Sequence, residues 1–191
     1  MQVLALCGSL RNGSYNHRAM NAAVELRPPD MSIDAYNRLA QIPPYNEDVR
    51  ERGYPSVVAD LRHRAKSADA VLFVTPEYNY SVPGVLKNAI DWVSRPPDPP
   101  FSGKPCAIMG ASISMFGSAR AQYHLRQMCV FLDMHPINRP EVMIPSAQDK
   151  FDSAGQLIDD TARKLIAELL RSLVVWTKQL ELRANDGAGG S

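Results

Sequence analysis

The sequence predicts a doubly wound α/β fold, in which helices cover both faces of a parallel sheet. Short apolar runs alternate with longer amphipathic stretches along the 191 residues, and this alternation is the pattern of βαβ units. The apolar runs are continuous, as in strands that are buried on both faces. Because neither a repeat nor a linker interrupts the pattern, we predict one domain over residues 1–183, followed by a disordered tail at 184–191.

The predicted strands are short apolar runs that stop at glycine, proline or polar residues. The clearest is Ala-Val-Leu-Phe-Val-Thr at 70–75, which ends at Pro76. Runs of this length and composition, with abrupt ends, are typical of buried strands. The five predicted strands occupy residues 3–7, 31–35, 70–75, 105–111 and, as an irregular strand, 137–144.

The predicted helices are amphipathic and have recognisable ends. The first starts at Ser14, whose hydroxyl suits an N-cap, and stops before Pro28. Between the second strand and the second helix, residues 37–55 are rich in proline, asparagine and tyrosine, which predicts a long loop. The five predicted helices occupy residues 14–26, 56–66, 84–93, 118–132 and 158–182.

Composition and charge exclude several classes of function. The net charge of +1 gives no indication of nucleic acid or an anionic membrane as a partner. No apolar run approaches the length of a bilayer span, so we expect no membrane insertion, and the segment before Gly8 lacks the basic region of a signal peptide. Three cysteines without a Cys-x-x-Cys pair favour neither a disulfide framework nor a metal site, and they suit a cytoplasmic protein.

The loop after the first strand carries groups that bind phosphate. In a doubly wound sheet, ligands bind beyond the carboxyl ends of the strands, and residues 8–16 there read Gly-Ser-Leu-Arg-Asn-Gly-Ser-Tyr-Asn. The loop is neither GxGxxG nor a Walker P-loop, but it offers hydroxyls, a guanidinium and an amide at the positive end of a helix. We interpret it as a phosphate site. The alternative is an ordinary turn with a serine cap and a solvated arginine.

The loop after the third strand is predicted to be rigid and aromatic. Residues 75–84 read Thr-Pro-Glu-Tyr-Asn-Tyr-Ser-Val-Pro-Gly, and the two prolines restrict the backbone at both ends. Such a loop suits a flat ring with polar edges, which hydride chemistry needs in one orientation. The alternative is a surface loop whose tyrosines pack on the core.

Together these loops resemble the NADPH-dependent FMN reductases of the flavodoxin-like superfamily, above all the bacterial quinone and chromate reductase branch. The resemblance rests on residues 8–16, 76–92 and 119–127, and it extends from residue 3 to the final helix. It implies a flavodoxin-like three-layer sandwich, with helices on both faces of a five-stranded parallel sheet in the order 2-1-3-4-5.

The resemblance also implies the residues of an FMN site, with the flavin carrying the chemistry, no catalytic side chain and no metal. In one respect the sequence departs from the family, since Ser114 stands where members often carry glycine. The implied FMN-binding residues are Ser9, Arg11, Ser14 and Asn16 at the phosphate, Pro76, Glu77, Tyr78 and Asn79 along the isoalloxazine edge, mainly through backbone groups, and Ser112 at the remaining wall.

The activity that the resemblance implies is an NAD(P)H oxidoreductase. Hydride passes from NADPH or NADH through bound FMN to a quinone or similar small acceptor, by a ping-pong mechanism. The flavin lies at the interface of a homodimer, and two dimers form a homotetramer. The implied contacts are the helices at 86–93 and 123–132, with a polar network of Arg120, Tyr123 and Glu141 between dimers.

Two other functions fit the same fold. A flavodoxin-type electron carrier would bind FMN without oxidising NAD(P)H, although such carriers tend to be acidic and this chain is nearly neutral. An interaction module would have lost the flavin, although the intact Ser9, Arg11 and Asn16 argue against that. Uptake of FMN and its reduction by NADPH distinguish the three functions.

Overall fold

The central sheet forms where the predicted apolar runs lie side by side. The computed structural model describes residues 1–188, and within them six strands form one parallel sheet in the order β2-β1-β3-β4-β5, with β6 also paired to β4. The strands are β1 (Gln2–Cys7), β2 (Ser32–Tyr36), β3 (Ala70–Val74), β4 (Pro105–Ala111), β5 (His135–Pro136) and β6 (Val142–Ile144). The predicted order 2-1-3-4-5 is confirmed.

The predicted fifth strand was wrong in its extent. Residues 137–144 do not form one strand: β5 pairs with the first residues of β4, and β6 pairs with the last. Pro136 and Pro140 have no backbone N–H to donate to a ladder, so the chain leaves the edge of β4 between them.

Helices cover both faces of the sheet, as predicted. Against one face pack α3 (Ser56–Ser67), α4 (Gly84–Val93) and α5 (Ala119–Leu132), and against the other pack α1 (Tyr15–Leu26) and α6 (Asp160–Ala188). Side chains of β1 alternate between the two cores, so that Leu4 and Leu6 lie in one and Val3 and Ala5 in the other. This arrangement is the predicted three-layer sandwich.

Two predicted irregular segments contain helix instead. The loop predicted at 37–55 includes a 3₁₀ turn at Leu39–Gln41 and the helix α2 (Glu47–Glu51), which Asn46 caps by accepting a hydrogen bond from Asp48. Because α2 is short and buries none of its residues, it has no apolar periodicity to reveal it. The final helix continues to Ala188, into the predicted tail, because no proline stops it; residues 189–191 lie outside the described residues.

Close packing at one point joins β3, β4 and α5. Gly110, in β4, lies against the start of α5, and a Cβ atom there would be 2.1 Å from Ser118 Oγ and 2.2 Å from the backbone oxygen of Thr75. Only glycine therefore fits between these elements.

None of the helices in residues 1–188 has both the length and the hydropathy that crossing a bilayer requires.

Candidate functional site

Three loops meet at the carboxyl edge of the sheet: residues 8–14 after β1, 75–83 after β3 and 112–118 after β4. We call them loops 1, 2 and 3. The backbone of Gly8 donates to Val74 (2.9 Å), which joins loop 1 to the strand that precedes loop 2. A Cβ atom on Gly8 would lie 3.3 Å from Pro83, so loops 1 and 2 are in close contact. The predicted binding segments therefore share one surface.

Loop 1 gathers its polar groups at the N-terminus of α1. The Oγ atom of Ser14 accepts hydrogen bonds from the backbone N–H groups of Asn16 (3.1 Å) and His17 (3.4 Å), as an N-cap. The Oγ atom of Ser9 accepts from the backbone of Arg11 (3.4 Å). Each hydroxyl keeps its own proton for donation, and both serines are buried.

The guanidinium of Arg11 lies on the same loop and is held by it. Its Nη2 donates to the carbonyl of Gly13 (2.8 Å), and its centre lies 5.5 Å from the centroid of the Tyr15 ring. Other N–H groups of the fork remain for a ligand. Together with the positive end of α1, these donors suit a phosphate monoester.

Asn16 has a second role that the sequence did not predict. Its Nδ2 donates to the carbonyl of Ala111 (2.9 Å), and the N–H of Ala111 donates to its Oδ1 (2.9 Å). The residue is only 3% exposed. The amide thus ties α1 to the end of β4, and one N–H of Nδ2 remains for the predicted phosphate contact.

The carboxylate of Glu77 points away from loop 2 and caps α5. It accepts hydrogen bonds from the backbone N–H groups of Arg120 (3.0 Å) and Ala121 (3.3 Å), and it pairs with the guanidinium of Arg120. Ser118, which precedes α5, has a left-handed φ of 70° and forms no side-chain cap. Glu77 takes over that capping role, so its carboxylate is engaged by α5 and only its backbone faces the predicted ring edge.

We expect Glu77→Gln to lower the free energy of unfolding by about 1–3 kcal/mol, because it removes charge-assisted hydrogen bonds at a helix N-terminus. The carboxylate side chain of Glu77 is only 7% exposed. Chemical denaturation of the purified variant measures the change.

The matched control is Glu47→Gln. Glu47 also pairs with an arginine, Arg50, but its side chain is 50% exposed, so we expect no measurable change. Equal effects of the two substitutions would show that Glu77 is not a structural anchor.

Loop 2 folds back on itself in a tight turn. The N–H and carbonyl groups of Tyr78 and Ser81 pair in both directions at 3.0 Å, and the two residues between them, Asn79 and Tyr80, have left-handed φ angles of 48° and 66°. This is the geometry of a type I′ turn. Tyr78 and Tyr80 are exposed, so the alternative in which these tyrosines pack on the core is wrong.

Arg120 connects loop 2 to loop 3. Its guanidinium lies 3.6 Å from the ring centroid of Tyr80 and 4.4 Å from that of Phe116, which places it between two aromatic faces. The sequence indicated Arg120 only as part of a network between dimers. Its contacts within the chain hold the aromatic rim of the site together.

Loop 3 is ordered by its own serines. The Oγ atom of Ser112 accepts from the backbone of Ser114 (3.1 Å), and the Oγ atom of Ser114 accepts from the backbone of Phe116 (3.3 Å). Ser114 therefore stabilises the turn. Ile113 and Met115 project from it and are exposed.

The three loops also present free backbone donors. Within residues 1–188, no hydrogen bond occupies the N–H groups of Leu10, Asn12 and Gly13 in loop 1, Glu77 and Asn79 in loop 2, or Ile113 and Met115 in loop 3. Free amides suit ring nitrogens and carbonyls, and the donors of loop 1 suit a phosphate. The residues present therefore fit FMN.

Two histidines that the sequence left without a role position the loops. His17 Nε2 lies 2.7 Å from the carbonyl of Ser9, and His124 Nδ1 lies 2.9 Å from Ser81 Oγ. The position of His17, three residues after the predicted Ser14 cap, could have indicated that its side chain lies near loop 1. No local signal could have indicated His124, because its partner lies far away in the sequence.

One of the two helices predicted to form subunit contacts does not expose its apolar side chains. The apolar side chains of α4 are buried in the core of the same chain, so they cannot form the contact predicted at 86–93. On α5, in contrast, Tyr123, Val130 and Phe131 are exposed. The nearby carboxylate of Glu141 in the same chain raises the pKa of Tyr123. A cavity of about 760 Å³ lies elsewhere, between residues 136–140 and α6, and shares no residue with the three loops.

The strand order and the position of the three loops define a flavodoxin-like protein whose site suits FMN. Sequence comparison gives the family. The family model described as NADPH-dependent FMN reductase matches residues 1–149, and the chain belongs to this family of oxidoreductases.

Individual relatives agree with this assignment. An NAD(P)H-dependent FMN reductase of Pseudomonas aeruginosa is 58% identical over 180 residues, which cover 94% of this chain and 97% of the relative. A quinone reductase of Escherichia coli K12 is 48% identical over 161 residues, 83% of this chain and 86% of the relative. FerB, a flavoenzyme NAD(P)H:(acceptor) oxidoreductase from Paracoccus denitrificans, has a TM-score of 0.85 at 32% identity and covers 93% of this chain and 97% of its own.

Proposed function

We propose that the protein binds FMN across the three loops and uses NADPH or NADH to reduce a quinone. The observation that carries the proposal is the convergence, at one edge of the sheet, of a phosphate cradle in loop 1 with free backbone donors in loops 2 and 3. The names of the Pseudomonas and Escherichia relatives support the same activity.

In this proposal the protein binds and orients, and FMN when bound supplies the hydride chemistry. The hydroxyls of Ser9 and Ser14 and the guanidinium of Arg11 hold the phosphate. Backbone groups of residues 76–79 hold the ring edge, and Ser112 closes the remaining wall. No protein nucleophile is required, and loop 2 fixes the orientation of the ring.

The acceptor and the reductant share one open face. Tyr78 and Tyr80 on one side and Ile113 and Met115 on the other expose flat or apolar surface beside the free amides, which favours a planar acceptor such as a quinone. Alternate use of one face by NAD(P)H and acceptor gives ping-pong kinetics.

We further propose that the protein works in the cytoplasm.

The spectrum of the protein tests the proposal. After FMN is added and the excess removed, we expect retained flavin absorbance that bleaches rapidly on anaerobic addition of NADPH and returns on addition of a benzoquinone. Retained flavin that stays oxidised with both NADPH and NADH would favour the electron carrier. A protein that retains no flavin would favour the interaction module.

The same experiment with Arg11→Ala tests the phosphate cradle. Because a hydrogen bond to a charged group contributes about 1.5–3 kcal/mol, we expect the dissociation constant for FMN to rise about 10- to 100-fold. Riboflavin, which lacks the phosphate, should bind both proteins equally. Arg52→Ala, which removes an exposed arginine outside the three loops, serves as the control and should leave FMN affinity unchanged.

We also propose a homodimer with the flavin at its interface, and a tetramer of two such dimers through a polar network of Arg120, Tyr123 and Glu141. The carboxylate of Glu141 raises the pKa of Tyr123, so the two side chains form a polar pair. Glu141→Lys should break this pair, and we expect light scattering to show dimers in place of tetramers. Glu51→Lys, which reverses an exposed charge on α2, is the control. An unchanged mass for Glu141→Lys would contradict the tetramer contact.

A further inference from the structure

Two cysteines that the flavin site does not use lie side by side in the core. Cys106, in β4, and Cys129, in the last turns of α5, have their Sγ atoms 3.8 Å apart. They are 0% and 2% exposed. The third cysteine, Cys7, belongs to the core on the opposite face of the sheet. The sheet therefore separates one adjacent pair of thiols from a single distant thiol.

We propose that Cys106 and Cys129 form a redox-modification site, at which a two-electron oxidant joins the two thiols in a disulfide that crosslinks β4 to α5. Each S–H bond breaks and one S–S bond forms. The two protons and two electrons pass to the oxidant, so that a quinone becomes a hydroquinone or a diazenedicarboxamide becomes a hydrazine. The oxidant must be small and uncharged, because both sulfurs lie in an apolar core.

The surroundings of the two sulfurs determine which thiol reacts first. The contact with the Cys106 sulfur, together with the nearby guanidinium of Arg126, lowers the pKa of Cys129. The same contact, together with burial, raises the pKa of Cys106. Because the thiolate is the reacting form of cysteine, Cys129 attacks the oxidant first, and Cys106 then attacks the Cys129 sulfur and displaces the reduced oxidant as the disulfide forms.

The end of α5 offers a route to the pair. Cys129 lies one turn before the end of α5, and its neighbours Val130 and Phe131 are 84% and 81% exposed. The helix then ends at Asp133, in a left-handed conformation. In this proposal, local opening of the last turn, which also carries the buried Leu132, admits the oxidant while the sheet stays paired.

The crosslink would close a segment that contains loop 3. Residues 106 and 129 enclose the end of β4, the whole of loop 3 and most of α5. A bond between them restricts the freedom of that segment. The modification therefore connects the oxidation state of the surroundings to one wall of the candidate site.

Counting reactive thiols tests the proposal. The full-length protein is reduced, freed of reductant, treated while folded with diamide (a diazenedicarboxamide), then unfolded and alkylated with N-ethylmaleimide. Of the three free cysteines, we expect only one to remain alkylatable, and peptide mapping to show a Cys106–Cys129 disulfide that dithiothreitol reverses. Three alkylated thiols, a crosslink through Cys7 or a disulfide between chains would overturn the proposal.

Serine variants provide the matched controls. In Cys7→Ser both remaining thiols should disappear on oxidation, whereas in Cys106→Ser and Cys129→Ser both should persist. If a core substitution prevents folding, the peptide map of the unsubstituted protein still decides, because it identifies the linked residues directly. Loss of thiols in Cys106→Ser would show that another pairing forms.

Discussion

Replacing Gly110 by alanine is expected to destabilise the protein by about 3 kcal/mol or more, the largest effect we expect of any single methyl group. The new Cβ atom would lie 2.1 Å from Ser118 Oγ and 2.2 Å from the backbone oxygen of Thr75. A side chain can rotate away, but the backbone of Thr75 cannot move without breaking its hydrogen bond to Met109 of β4. Urea unfolding followed by circular dichroism measures the loss.

Gly84→Ala is the control for this prediction. Gly84 starts α4, and a Cβ atom there would meet nothing within 4 Å, so its effect should stay within about 0.5 kcal/mol. In a second test, Ser118→Ala is added to Gly110→Ala. This removes only one of the two close contacts, so stability should not return. A Gly110→Ala protein as stable as the unsubstituted chain would show that β3, β4 and α5 are not packed as described.

Asn16→Ala should lower the free energy of unfolding by about 2–4 kcal/mol, because it leaves the N–H and carbonyl of Ala111 buried without partners. Both groups bond the Asn16 amide at 2.9 Å, and Ala111 is almost fully buried. Denaturation of the protein without FMN isolates this structural contribution. Asn21→Ala, on the exposed face of the same helix, should change stability very little.

FMN titration of the same variant separates the two roles of Asn16. If the amide mainly holds the flavin phosphate, as the sequence predicts, FMN affinity falls while the protein without FMN keeps its stability. If the amide mainly joins α1 to β4, stability falls first. We expect the second result, because the two hydrogen bonds to Ala111 engage both polar atoms of the side chain.

The order of the sheet could be predicted because its signals are local. Continuous apolar runs mark β1, β3 and β4, and a serine cap marks the start of α1. A short polar helix such as α2 has no such signal, and the split of the last strand depends on how prolines meet an edge that exists only in the folded sheet.

The candidate site was predictable as a set of segments but not as a set of contacts. The sequence indicated Asn16 and Glu77 by residue type and position. Their side-chain partners lie 95 and 43 residues away, and no spacing within a motif specifies contacts at such distances. The need for glycine at 110 was equally hidden, because it depends on the approach of α5 and β3 to the same atom.

The turn in loop 2 has a consequence for affinity. Asn79 and Tyr80 both adopt left-handed φ angles without being glycine, a conformation that costs about 1–2 kcal/mol per residue. Folding meets that cost through the paired backbone groups of Tyr78 and Ser81 and through the stacking of Arg120 on Tyr80. The loop is thus preorganised, and a ligand that docks on it loses little free energy to the ordering of the chain. The protein gives up some stability in its free form and gains tighter binding in return.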